Sequence, residues 1–204
     1  MIKNVIFDLG NVLVSFRPAE YLETQNYTEE KKKIILAEIF GSPEWLMLDN
    51  GDLTTGEAIS LIAGRSSLKR AEIDEIFDKR FEILVPINPN LKILPELKKQ
   101  GLKLYYLSNF PLDLWEMVKE RMEEEYGFFR YFDGGIISGE ARFSKPDPQI
   151  YKLLLEKYSL NADECFYIDD IEINVRAAEK TGMTGLSTDG THDLFELLKK
   201  TIPF

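Results

Sequence analysis

Val5-Ile6-Phe7-Asp8 and its two later counterparts, Leu104-Tyr105-Tyr106-Leu107-Ser108-Asn109 and Cys165-Phe166-Tyr167-Ile168-Asp169-Asp170, decide the fold. Each is a short unbroken apolar run that stops abruptly at a polar residue. Unbroken runs suit strands buried on both faces, as in a parallel sheet, better than the alternating pattern of a half-exposed hairpin. Gly135-Ile136-Ile137-Ser138 is a fourth candidate. Helical patterns follow the strands. Asn90 is expected to cap a helix carrying Leu91, Leu94 and Leu97, which Gly101 ends. Asp147 and Pro148 form an N-cap and first-turn pair ahead of Ile150, Leu153 and Leu154. Asp170 leads into Val175, Ala177 and Ala178, stopped at Gly182. Strands alternating with helices predict a doubly wound, Rossmann-like α/β core with three layers.

Residues 15–84 break that rhythm. They are helical almost throughout, with Thr28 as an N-cap before Ile34, Ile35 and Ile39, and Thr54-Thr55-Gly56-Glu57 as a capping box before Ala58, Ile59 and Ile62. With Pro18 near one end and Pro86 and Pro89 near the other, the stretch reads as a small helical insert after the first strand. The expected division is a core of residues 1–14 and 88–204 and an insert of residues 15–87. Trp45, Met47 and Leu48 are expected in the insert's own core, where some of them can also line a pocket.

The 204 residues suffice for a sizeable core, and the net charge of -10 argues against nucleic acid or an anionic membrane as the main partner. An anionic substrate would then need local positive charge, from a metal or a few placed lysines. Cys165 is the only cysteine, which excludes an intrachain disulfide and a cysteine-based zinc site. No apolar run is long enough to span a bilayer, and residues 1–5 run straight into a strand, so a cytoplasmic location is expected. His192, beside Thr191 and Asp193, is read as a surface residue at the start of the last helix.

In a doubly wound sheet, ligands bind beyond the carboxyl ends of the strands. That edge collects Asp8, Ser108-Asn109 and Asp169-Asp170, with Lys145 arriving from the loop before the helix capped by Asp147. Taken singly, Asp8 reads as a turn residue, Ser108-Asn109 as a cap and Lys145 as a surface lysine. Asp169-Asp170 is harder to explain that way. Adjacent like charges after a buried strand repel and call for a compensating cation, for which Mg2+ with its oxygen preference is the best candidate.

Val5-Ile6-Phe7-Asp8-Leu9-Gly10-Asn11-Val12-Leu13, Leu107-Ser108-Asn109, Ser144-Lys145-Pro146-Asp147 and Tyr167-Ile168-Asp169-Asp170 with Asn174 resemble, in order, the four motifs of the haloacid dehalogenase-like (HAD) hydrolase superfamily. The insert resembles its C1-type cap (subfamily IA). The first motif and Asn174-Val175-Arg176-Ala177-Ala178 are similar to the branch with α-glucose-1-phosphate phosphatases and the epoxide-hydrolase N-terminal phosphatase domain. The resemblance implies a phosphatase acting on a small phosphorylated metabolite, with a sugar phosphate as one candidate. It implies Asp8 as nucleophile forming an aspartyl-phosphate, with Ser108, Asn109 and Lys145 binding the phosphoryl group. It also implies Mg2+ held by Asp8, the Gly10 carbonyl and Asp170, with Asp169 acting through water.

The chain departs from the family pattern at Gly10, where most of its phosphatases carry a second aspartate as general acid/base. Such a group contributes on the order of 100- to 10,000-fold. A cap carboxylate such as Asp49, a water held by Asp169, or a leaving group that needs little protonation are open substitutes, and slow turnover is the remaining outcome. Asp49, Asn50 and Arg17 lie near the expected cap–core junction. A 2-haloacid dehalogenase is the first rival reading, though it needs no metal and leaves Asp169-Asp170 unexplained. A degenerate regulatory or binding protein is the second.

Overall fold

The computed structural model describes residues 1–188 and 194–201. In chain order its strands are β1 (Asn4–Phe7), β2 (Val14–Phe16), β3 (Leu84–Pro86), β4 (Lys103–Ser108), β5 (Gly134–Ile137), β6 (Cys165–Asp169) and β7 (Thr184–Ser187). Five of them form the Rossmann-like sheet, in the order β5-β4-β1-β6-β7 and parallel throughout. The strand that carries the first apolar run is therefore central, which is why Val5, Ile6 and Phe7 are wholly buried.

Alternation along each strand sorts the side chains into two layers. Val5, Phe7, Leu104, Phe166 and Ile168 face one core, and Ile6, Tyr105, Leu107, Cys165 and Tyr167 face the other. Helices Ile93–Lys99, Leu112–Tyr126 and Leu194–Thr201 close the first layer, and helices Pro148–Lys157 and Glu172–Glu179 the second. Each fully buried Leu, Ile or Phe of these layers contributes roughly 1.5–3 kcal/mol. Asp147 caps its helix as its Pro neighbour predicts, accepting from the Gln149 N–H.

Between β2 and β3 lie the helices Pro18–Glu23, Glu29–Ile35, Pro43–Asp49, Thr55–Ala63 and Arg70–Lys79. They enclose a separate apolar cluster that includes Leu22, Ile35, Ile39, Ile62 and Phe77. Thr28 caps its helix, and Thr54 and Glu57 form the reciprocal capping box. The chain leaves and re-enters the sheet domain through one antiparallel ribbon, with Ser15 opposite Val85. A second tie is buried Arg80, whose guanidinium lies 2.5 Å from Asp113 on helix Leu112–Tyr126, with the Thr55 hydroxyl donating to the same carboxylate.

Two expectations fail. Asn90 is no N-cap: it sits within the short helix Asn88–Leu91, ahead of helix Ile93–Lys99, and its buried amide donates to the Val12 carbonyl at 2.7 Å. The turn after β1 needed that donor more than the helix needed a cap. Met47 is 38% exposed, because two residues along a helix from inward-facing Trp45 lies on the opposite side. The reading of His192 falls outside the described residues. Among the described residues, no helix is long and apolar enough to cross a membrane.

Candidate active site

Strand register assembles the site. Phe7 is level with Ile168, so the next residues, Asp8 and Asp169, leave the sheet side by side. The Asp8 N–H still donates to the Ile168 carbonyl at 2.8 Å, which fixes the turn. Ser108 ends the neighbouring β4. Lys145 is held over this edge by Asn109: the Lys145 N–H donates to Asn109 Oδ1 at 2.8 Å, and Asn109 Nδ2 donates to the Lys145 carbonyl at 3.0 Å. Asn109 thus spends its amide on positioning the lysine. Asp8, Ser108, Lys145 and Asp169 are all buried.

Asp8 Oδ1 accepts from the Ser108 hydroxyl at 2.7 Å and from the Leu9 N–H at 2.7 Å, and lies 2.9 Å from Lys145 Nζ. The same ammonium is 2.7 Å from Asp169 Oδ2. Asp169 is further held by the Ile171 N–H at 2.8 Å, by Asn174 Nδ2 at 3.1 Å and by the Tyr167 hydroxyl. Asp170 is only partly buried and accepts from Asn11 Nδ2 at 3.3 Å. Of the adjacent pair, Asp169 is therefore absorbed by the protein, and Asp170 keeps the greater capacity for a ligand.

Oxygens of Asp8, Asp169 and Asp170 all lie within 4.8 Å of one another. One ammonium against three carboxylates leaves a surplus of negative charge. Burial pushes the Asp8 carboxyl up to about 6, with Lys145 opposing and Asp169 adding to the shift. Asp170 is raised by burial and then by Asp169. Burial pulls Lys145 down, but the Asp8 and Asp169 charges outweigh it and hold the ammonium above its ordinary range. An all-oxygen donor set with unbalanced negative charge fits a hard divalent cation.

A cavity of about 160 Å³ opens over this cluster, with Asp8, Gly10, Ser108, Lys145 and Asp170 on one side. Trp45 and Asp49 enter it from the helical segment. Burial pushes the Asp49 carboxyl up to about 7, with the Asp8 charge adding and Lys145 opposing. Its loop is docked on the sheet domain: the Asp49 carbonyl accepts from the Ser138 hydroxyl, and Asn50 Oδ1 accepts from Ser144. Asn50 does not line the cavity. Arg17 is exposed, pairs with Glu20 at 3.0 Å and is no part of the site.

The sequence reading gave no role to Asn11, Tyr167 or the apolar wall formed by Phe16, Leu84 and Phe110. Asn11 carried a signal: after Gly10 it adopts a positive φ of 53°, which Asn tolerates, and its Oδ1 accepts from the Phe16 N–H at 3.0 Å.

Residues 2–182 match the family model described as haloacid dehalogenase-like hydrolase. The chain belongs to the HAD-like hydrolases. It is 30% identical over 196 residues to a sesquiterpene phosphatase of Aspergillus oryzae, covering 96% of this chain and 94% of that one. It is 30% identical over 143 residues to bifunctional epoxide hydrolase 2 of Rattus norvegicus, covering 70% of this chain but 26% of that longer protein. A HAD family enzyme from Bacteroides thetaiotaomicron, solved in complex with magnesium and inorganic phosphate, superposes with a TM-score of 0.75 at 26% identity, covering 97% and 99% of the two chains.

Proposed function

We propose that this HAD-like protein is a magnesium-dependent phosphomonoester hydrolase working through an aspartyl-phosphate on Asp8. The supporting observation is the surplus of negative charge where Asp8, Asp169 and Asp170 meet, beside a hydroxyl and an ammonium that both reach the Asp8 carboxylate. The names of the phosphatase relative and of the magnesium–phosphate complex support the same reading. Asp8, Asp170 and the Gly10 carbonyl would hold the ion, with Asp169 reaching it through water. Bound there, Mg2+ supplies Lewis-acid stabilisation of charge on the phosphoryl oxygens.

The chain's own groups carry the remaining steps. An Asp8 carboxylate oxygen attacks phosphorus while the ester P–O bond breaks. Ser108 and Lys145, both already within 2.9 Å of Asp8 Oδ1, turn their protons to the phosphoryl oxygens. Asp49 replaces the acid absent at Gly10: it protonates the departing alkoxide, then takes a proton from the water that attacks phosphorus and breaks its bond to Asp8. Helix Pro43–Asp49, which brings Trp45 and Asp49 to the cavity, acts as part of a cap that excludes bulk water.

One observation weighs against each rival reading, the dehalogenase first. Among the described residues lining the cavity, the one cation is Lys145, and it is already shared by two carboxylates. The carboxylate of a haloacid would lack a partner there. Retention of the nucleophile's hydrogen-bond set counts against a purely regulatory role. The test is hydrolysis of p-nitrophenyl phosphate by purified protein with Mg2+. Asp8→Asn should abolish it, and EDTA should abolish it reversibly; activity surviving either treatment refutes the proposal.

A further inference from the structure

Resting on the phosphohydrolase reading, we infer that the leaving group is a compact apolar alcohol, branched-alkyl or aromatic, in place of a polyhydroxylated sugar. The cavity lining is of two chemical kinds. One is the charged cluster of Asp8, Ser108, Lys145 and Asp170. The other is an apolar wall of Val14, Phe16, Trp45, Leu84, Phe110 and Leu114. Five of these are buried, and Phe16 stacks on Trp45 with ring centroids 5.9 Å apart. Phe110 packs edge-on against Trp115 at 5.7 Å, so this wall is braced from behind on the core side as well. At the mouth, Ile171 lines the cavity and stays 50% exposed.

The amides bordering the same space each already hold a protein partner. Asn11 donates to Asp170 and accepts from Phe16, and Asn109 is closed on Lys145 at both ends. Asn174 is buried, with its Nδ2 spent on Asp169. Asp49 remains as the polar side chain reaching in from the cap, enough for the one oxygen of a monoester. A sugar would bring several hydroxyls against aromatic and aliphatic carbon, where each loses its water partners without replacement. An apolar group there gains about fourfold in affinity per buried methylene. The 160 Å³ must hold the phosphoryl group as well, so what fits beside it within the walls is compact, and a longer chain can emerge past Ile171.

The test is a panel of primary-alcohol monophosphates assayed with saturating Mg2+. We expect kcat/KM for benzyl and 3-methylbutyl phosphate to exceed that for glucose 6-phosphate by about 100-fold. In a series from ethyl to hexyl phosphate, kcat/KM should climb about fourfold per methylene until the wall is covered. A flat series, or glucose 6-phosphate equal to benzyl phosphate, overturns the inference while leaving the phosphohydrolase reading intact. No hydrolysis of any ester, p-nitrophenyl phosphate included, overturns both.

Discussion

On the proposed mechanism, Asp49 takes over the acid–base task for which Gly10 has no side chain. A carboxyl held near pH 7 by burial is protonated below that value and can donate to an alkoxide; above it, the donor is lost. The alkaline limb of kcat/KM for an alkyl phosphate should therefore fall through about pH 7. Asp49→Asn should flatten that limb and cost on the order of 100-fold, but much less with p-nitrophenyl phosphate, whose leaving group needs little protonation. Gly10→Asp should restore part of the loss in the Asp49→Asn background. A Cβ at position 10 meets only Asp8 Oδ2, at an ordinary 4.0 Å. An Asp49→Asn protein with an unchanged pH profile on alkyl phosphates would remove Asp49 from the mechanism. At this scale much of the site was legible, since Asp8, Ser108 and Asp169 each end an apolar run and a sheet gathers such ends. Asn11, Tyr167 and the positioning use of Asn109 were not. The Asn11–Asp170 and Asn109–Lys145 contacts join residues 159 and 36 apart, which no local pattern encodes, and Tyr167 sits inside an apolar run that reads simply as core.

Among the elements, one contact between the helical segment and the sheet domain is glycine on glycine. Gly51 has φ +73°, and a Cβ there would come 2.6 Å from the Gly139 carbonyl oxygen. Gly51→Ala must therefore accept left-handed strain of about 1–2 kcal/mol and also lift the loop that carries Asp49. A drop in Tm of at least about 2–4 °C is expected, together with a lower kcat/KM. Gly56→Ala is the internal control, because its Cβ would meet nothing within 4 Å and its helical backbone suits alanine. Equal effects at both positions would show that the junction has no special role. Four sheet strands, the Thr28 N-cap and the Thr54–Glu57 capping box were legible because burial and capping are local signals. The ribbon β2–β3 was not, since each strand is three residues long and is defined by its partner across the insert. β7 escaped notice for a related reason: its edge position leaves Thr184 and Ser187 exposed, so it has no apolar run.

For the whole molecule, a fold with net charge -10 that also gathers three carboxylates, only two of them paired with the Lys145 ammonium, carries repulsion which a bound cation would relieve. Binding to the native state alone stabilises by about 2.7 kcal/mol at a hundred times the dissociation constant. For a chain of this size, Mg2+ at that level should raise Tm by about 5–10 °C at pH 7.5. Asp170→Asn should abolish the shift while raising the Tm of the metal-free protein, because it deletes one of the repelling charges. The pH dependence of the metal-free form has a definite sign. Asp8 titrates near 6 in the native state and near 3.9 when unfolded, so the native state binds the proton more readily. Its destabilising contribution is fully present above pH 6 and is relieved as pH falls from about 6 to 4. Over the same interval the Mg2+ shift should shrink, because protons compete for the same oxygens. Thermal melts with and without Mg2+, for both proteins across that range, measure all of this without a substrate. A Tm indifferent to Mg2+ at neutral pH, or an Asp170→Asn protein that still responds to it, would mean that these carboxylates meet for some purpose other than holding an ion.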